Sequence, residues 1–453
     1  MVSDNARPAP ARADSTLQVV LAMLFIGMLF FIVGCATWIN GSLIPFLKIV
    51  CNLNNFQALW VTFAFYIAYT VMALPAAAVL ARTGYRRGMA LGLGIMSLGA
   101  LLFIPAARSG LYALFLLALF TLATGTTLMQ TAVNPYIVCI GARDSAAMRI
   151  SIMGLFNKTA GVLVPILFSS VVLSGMEGYS EQGFLALDEA GRAALRAALA
   201  ERLVRPYALM AGILLAVTVV VALVPLREIA PEGAGTLKPT RFGVLRFPQL
   251  VLGALALFAY VGVEVIAGDT IGLYGRHLGV PGFASLTSFT MAFMAVGYVC
   301  GVVAIPRWLS QKRALQLSAA AGMLLTLGVT LGSSSDTTLS RLLLGWTALP
   351  QLPDTVLCLA MLGFANALVW PAIWPLALDG LGPYTASGSA LLIMGIAGGA
   401  LLPILYGALS DHTGVQAGYW LLLPCYVWIL FYAFKGHALR AWRRDATGGP
   451  RCG

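Results

Sequence analysis

PQLVLGALALFAYVGVEVIAGDTIGLYG, residues 248–275, decides how this chain is read. The stretch carries only two charged side chains, Glu264 and Asp269. Crossing the hydrocarbon of a bilayer takes about 20 mostly apolar residues, and this run supplies them. Charge inside such a run costs several kcal/mol unless it is paired or wet, so both acids are functional candidates by default.

Runs of the same kind lie on either side. They fall near 17–47, 57–80, 88–107, 111–139 and 150–174, then 206–225, and, after a polar break, 248–275, 285–306, 314–333, 355–378, 385–409 and 417–435. The pattern is six, a gap, then six. Composition agrees: 60% of the 453 residues are hydrophobic and 10% charged, against roughly 25% charged in a soluble domain. The expected fold class is all-α integral membrane, with twelve transmembrane helices in two six-helix bundles. The first run is long for one span and reads as a single tilted or kinked helix ending at Pro45, with Gly34, Gly41 and Pro45 able to bend it.

The polar stretches set the expected domains. Residues 1–16 read as a disordered tail with no cleavable signal, 17–225 as the N-terminal bundle and 226–247 as a linker. Residues 248–435 read as the C-terminal bundle and 436–453 as a second tail. Within the first half, 175–205 mixes five acids with four arginines and reads as an extramembrane loop with a short amphipathic helix.

The net charge of +11 follows the membrane rather than a nucleic acid. With the N-terminus placed in the cytoplasm, nineteen of the 28 Lys and Arg fall on the cytoplasmic side and eight on the other, and Lys158 lies within a span. That asymmetry predicts both termini inside.

The halves resemble each other. AGVLVPILF (160–168) matches GGALLPILY (398–406), the basic turn of Arg82, Arg86 and Arg87 matches that of Arg307, Lys312 and Arg313, and Asn134-Pro135 sits where Trp370-Pro371 recurs. A parallel six-plus-six repeat is a transporter architecture with its substrate site near the midplane between the halves.

Three charged residues lie deep in spans: Lys158 in the fifth, and Glu264 and Asp269 in the seventh. Asp269 is five residues beyond Glu264, hence about 7.5 Å further along and about 140° around the helix. The two acids therefore do not share one partner, and either suits Lys158 across the half interface. They read as an ion-coupling set, with a structural ion pair or gate latch as the alternative; the two can hold together.

A second set is polar and aromatic: Trp38 and Asn40, then Gln130 and Asn134 on one helix face, then Asn157, then Asn366, Trp370 and Trp374 at i, i+4 and i+8. Amides match sugar hydroxyls and indoles match the flat C–H face of a pyranose, so the set suits an uncharged carbohydrate. The plainer alternatives are helix–helix hydrogen bonding for the amides and interfacial anchoring for the tryptophans.

Signals for other chemistry are weak. The seven cysteines show no metal or redox spacing. The three histidines, His277, His412 and His437, lie near loop ends without ligand spacing. No phosphate-cradling glycine loop is present, which argues against ATP-driven transport. An enzyme is not expected, nor any metal or cofactor.

At FFIVGCATWINGSLIPFLK (30–48), NNFQALWVTFAFYIAY (54–69), LMQTAVNPYIVCIG (128–141), RISIMGLFNKTAG (149–161), YVGVEVIAGDTIG (260–272) and GSALLIMGIAGGALLPILYGALSD (388–411), nearly the whole chain resembles one family. It is the fucose permease and glucose/galactose transporter branch of the major facilitator superfamily. The TW-x-NG segment and VEVIAGDTIG look most like its glucose/galactose and N-acetylglucosamine permeases. The resemblance implies the major facilitator fold and cation-coupled sugar import by alternating access. The expected setting is a bacterial inner membrane, with the chain acting as a monomer and a small sugar as substrate.

The sequence also departs from the family. Where the fucose permease has an Asp in the first span and a Glu in the fourth, this chain has Gly41 and Gln130, and where the loop after the second span is expected to carry Asp it has Ala81. Coupling to H⁺ or Na⁺ must then rest on Asp269, Glu264 and Lys158. Glucose or galactose is the preferred sugar, with N-acetylglucosamine or fucose as alternatives. Efflux of hydrophobic compounds is the rival function on the same architecture.

Overall fold

The structure, a computed structural model, describes residues 16–139, 146–172, 188–223, 243–305, 308–347 and 349–442. Most of both tails, the first part of the 175–205 loop and the linker through residue 242 lie outside the described residues. Every regular element among those described is helical.

Twelve helical segments are long and apolar enough to cross a membrane. They are spans 1 (Leu21–Val50), 2 (Asn55–Ala73), 3 (Arg82–Ser109), 4 (Tyr112–Val133), 5 (Ile152–Val172) and 6 (Glu189–Leu223), then 7 (Pro248–Asp269), 8 (Phe283–Ala304), 9 (Gln311–Leu331), 10 (Asp354–Leu378), 11 (Leu391–Thr413) and 12 (Ala417–Ala438). Their outward faces are apolar: Leu209 is 67% exposed, Leu324 70% and Leu167 60%. In water such a surface would aggregate; against lipid tails it needs no polar cover. The chain is a multi-pass membrane protein.

Span 6 opens with the amphipathic helix expected in the polar loop, Glu189–Glu201, capped by the Asp188 carboxylate on the Gly191 N–H at 2.8 Å. Spans 2 and 3 are joined at Gly84, whose φ of 75° lies in the left-handed region that glycine enters without a Cβ clash.

Span 1 is kinked between Gly34 and Gly41, as expected, but does not end at Pro45. Its helix breaks at Ile39 and resumes as Asn40–Val50, so it bends before Asn40 and runs past Pro45. Pro45 lacks the N–H for one helical bond but stays inside the second segment. Two further breaks occur in the other half. Span 7 ends at Asp269 and continues after Thr270 as Ile271–His277, and span 10 breaks between Asn366 and Val369. A polar residue stands at each break: Asn40, Asp269 and Asn366.

The first six spans meet the last six where span 5 packs along span 8, span 2 along span 11, and the second part of span 1 against span 7 and its continuation. At the end of the bundle that carries Asn55 and Gly414, the Asp411 carboxylate accepts the backbone N–H groups of Asn55 (3.1 Å) and Phe56 (2.9 Å) across the two halves. Ser42 Oγ also donates to the Ala284 carbonyl, 2.5 Å away.

Hydrogen bonds to a charged group contribute about 1.5–3 kcal/mol each. Asp411→Ala is therefore expected to loosen this end. Labelling of Cys51, which is half-buried there, by a membrane-impermeant maleimide should rise by about tenfold or more. An unchanged rate would mean that the Asp411 contact does not hold the halves together.

Candidate functional site

Where the halves meet, span 5 brings Lys158 to Glu264 of span 7. Lys158 Nζ lies 2.6 Å from Glu264 Oε1, and the two side chains are 8% and 11% exposed. This is the partner choice that the sequence left open. Removing one partner of such a pair costs about 3–5 kcal/mol, because the other charge stays buried.

Trp38 completes the cluster. Lys158 Nζ sits 4.1 Å from its ring centroid, a cation–π contact worth ~2 kcal/mol when desolvated. The indole Nε1 donates to Asn157 Oδ1 at 2.9 Å, and Asn157 Nδ2 donates to the Phe30 carbonyl at 3.4 Å. The indole lies between the halves because Gly161 and Gly268 make room for it: a Cβ on either would press on the ring at 2.9 Å. Asn157, expected among the sugar ligands, spends its amide here on fixing Trp38.

Asp269 stands apart. It is fully buried. Oδ2 accepts from Thr62 Oγ1 of span 2 at 3.2 Å, and Oδ1 has no hydrogen-bond partner. No ion pair compensates it among the described residues. The helix break beside it is satisfied by threonines: Thr287 donates to the Gly268 carbonyl (2.8 Å), Thr290 to Ala267 (3.3 Å) and Thr270 to Ile266 (2.7 Å). Gly41 faces this break, and a Cβ there would overlap the Thr287 hydroxyl. Its neighbour Asn40 is fully buried with both amide atoms unpartnered.

A second polar-aromatic group lies within the last six spans. Asn366 is fully buried. Tyr426 donates to its Oδ1 at 2.9 Å, and its Nδ2 has no partner. The Trp370 ring lies 5.6 Å from that of Trp374 and 6.2 Å from that of Tyr260. Trp374 Nε1 is buried and unpartnered. Tyr260 is one helical turn before Glu264, so span 7 touches both clusters. Gln130 is half-buried in span 4. The side chain of Asn134 lies outside the described residues.

Of the expected site residues, the structure brings together Trp38, Asn157, Lys158 and Glu264. It places Asp269 and Asn40 at facing helix breaks, and Asn366, Trp370 and Trp374 in their own group. Thr62 and Tyr426 escaped the sequence reading. A lone Thr or Tyr in an apolar run carries no charge and no spacing that marks it. Among the described residues no group of three His, Cys, Asp or Glu is placed to hold a metal ion. A cavity of about 310 Å³ at the Asp411 end is lined by Lys48, Asn55, Leu273, Arg276, His277 and Asp411, among others.

The family model described as Major Facilitator Superfamily matches residues 26–402. A glucose/galactose transporter of Brucella abortus is 30% identical over 437 residues, covering 95% of this chain and 97% of its own. An L-fucose-proton symporter of Haemophilus influenzae is 28% identical over 442 residues, covering 94% and 97%. Among solved structures, the transporter FucP in the outward conformation superposes with a TM-score of 0.69 at 24% identity, covering 92% of this chain and 98% of that one. That likeness bears on the fold.

Proposed function

The chain belongs to the major facilitator superfamily, and from that premise we propose that it imports a hexose, glucose or galactose, by cation-coupled symport. It is a membrane transporter and not an enzyme. The observation that carries the coupling is Asp269: a fully buried carboxylate between the halves with one neutral hydroxyl as its partner. Burying an ionised carboxylate without a counter-charge costs several kcal/mol. A bound proton or Na⁺ removes that cost, so closing the halves around Asp269 favours the loaded state. Glu264 is neutralised by Lys158, which leaves Asp269 as the acid that takes up and gives back the ion.

The sugar reading rests on the amides and indoles that the spans carry on both sides of the half interface. Asn40, with two unpartnered amide atoms, and Asn366, with one, have hydrogen-bonding capacity to offer hydroxyls. Trp38, Trp370 and Trp374 offer ring faces, and Gln130, Asn134 and Asn157 complete the proposed binding set. Lys158 pairs with Glu264 in the arrangement described and loses it in another. The relative from Brucella abortus supports a hexose. The Haemophilus influenzae relative favours L-fucose with protons as a second reading.

The excess of Lys and Arg in alternate loops supports termini in the cytoplasm of a bacterial inner membrane. The Asp411 end would then face outward. The proposed carrier works as a monomer.

Uptake of labelled glucose and galactose into cells lacking their own carriers tests this reading, with unlabelled hexoses, N-acetylglucosamine and L-fucose as competitors. Saturable uptake competed best by glucose or galactose is expected. Best competition by L-fucose would select the second reading. Export of hydrophobic dyes with no sugar uptake would end both.

A further inference from the structure

Span 2 makes two attachments across the halves, both to carboxylates. At its start the Asn55 and Phe56 N–H groups hold Asp411 of span 11. Six residues after Phe56, hence about 9 Å deeper, Thr62 Oγ1 donates to Asp269 Oδ2 of span 7. Thr62 and Asp269 are both fully buried. The deep bond exists only while span 2 lies against span 7, which is the arrangement in which this end is shut.

A symporter closes around its ion site twice in each cycle, once loaded and once empty. In the loaded closure Asp269 is neutralised, and a neutral carboxyl loses little if one weak bond is missing. In the empty closure the carboxylate is ionised, and Oδ1 has no partner. The Thr62 hydroxyl is then the one donor that the described residues offer it. A hydrogen bond to an ionised acceptor is roughly twice as strong as a neutral one.

We propose that Thr62 is a positioning residue for the return of the empty carrier, the donor that lets ionised Asp269 be buried while the halves close. The proposal rests on Asp269 as the coupling acid. Thr62 contributes little to sugar binding and little to exchange of one sugar molecule for another by the loaded carrier. Its hydroxyl governs net transport, which must pass through the empty closure.

Purified carrier in proteoliposomes tests this with labelled galactose, or whichever hexose the uptake assay selects. Net cation-driven uptake and equilibrium exchange are measured side by side. For Thr62→Val, net uptake is expected to fall by about tenfold or more relative to exchange, with the sugar concentration for half-maximal exchange unchanged. Thr62→Ser, which keeps the hydroxyl, should restore the wild-type ratio. Thr62→Ala serves if the valine variant does not reach the membrane. In an Asp269→Asn background the same threonine change should have no further effect on the ratio.

Equal loss of net uptake and exchange, or a serine variant no better than valine, would reduce Thr62 to a packing residue and overturn the proposal. Full accumulation by Asp269→Asn alone would instead remove the coupling reading on which the proposal stands. Loss of accumulation in Asp269→Asn with a wild-type ratio in Thr62→Val would refute the role of Thr62 alone.

Discussion

Lys158→Ala is expected to destabilise the carrier by about 3–5 kcal/mol and to abolish transport. The cause is what remains after the change. Glu264 stays buried between the halves with its cation gone, and the Trp38 ring loses the ammonium 4.1 Å from its centre. Thermal unfolding in detergent reads the stability. Adding Glu264→Gln removes the stranded charge, so the double variant should regain most of the lost stability, because buried pairs contribute little beyond what their half-removal costs.

Transport should not return with it. The proposed cycle makes and breaks this pair between the halves, and a neutral pair cannot report which arrangement the carrier is in. Recovery of both stability and uptake in the double variant would make Lys158–Glu264 a brace and nothing more.

Asp269→Asn has the other large effect, with the opposite character. The substitution keeps shape and removes the charge, so the halves should close as before. What disappears is the link between closing and ion loading. One monovalent cation crossing 100 mV carries about 2.3 kcal/mol, enough to concentrate a sugar about 50-fold. The asparagine variant should lose all of that and still equilibrate sugar downhill. Stability should change little, in contrast to Lys158→Ala, because Asp269 has no ion partner among the described residues to strand. The two acids on one helix thus separate experimentally: disturbing the Glu264 pair damages the fold, and disturbing Asp269 damages only the coupling.

The twelve spans were legible in the sequence because the bilayer imposes its own length and polarity, whatever the neighbours are. Lys158, Glu264 and Asp269 stood out for the same reason. The choice of partner did not. Glu264 and Asp269 point about 140° apart on an ideal helix, but which of them faces Lys158 depends on how span 7 is rotated against span 5. That is set by packing: Gly161 and Gly268 admit the Trp38 ring between the spans.

The bend in span 1 falls at Ile39, between Gly34 and Gly41, and Pro45, inside the second segment, leaves one carbonyl of the preceding turn without its helical donor; what the sequence does not show is that the helix runs on past Pro45 to Val50. Thr62 was illegible for a different reason. Most threonines in these spans bond back to their own helix, as Thr126 does to Leu122 and Thr127 to Ala123. Nothing in the sequence marks the one that instead reaches across the halves to Asp269.

In the proposed cycle, sugar moves against its gradient through ion loading of Asp269. Accumulation of labelled glucose or galactose in proteoliposomes, under an imposed inward proton or Na⁺ gradient, measures it directly. The wild type should concentrate the sugar under one of the two gradients. Asp269→Asn should fill the vesicles only to the external concentration under either. Concentrative uptake by Asp269→Asn equal to the wild type, or no gradient-driven hexose uptake by the wild type, would contradict that cycle.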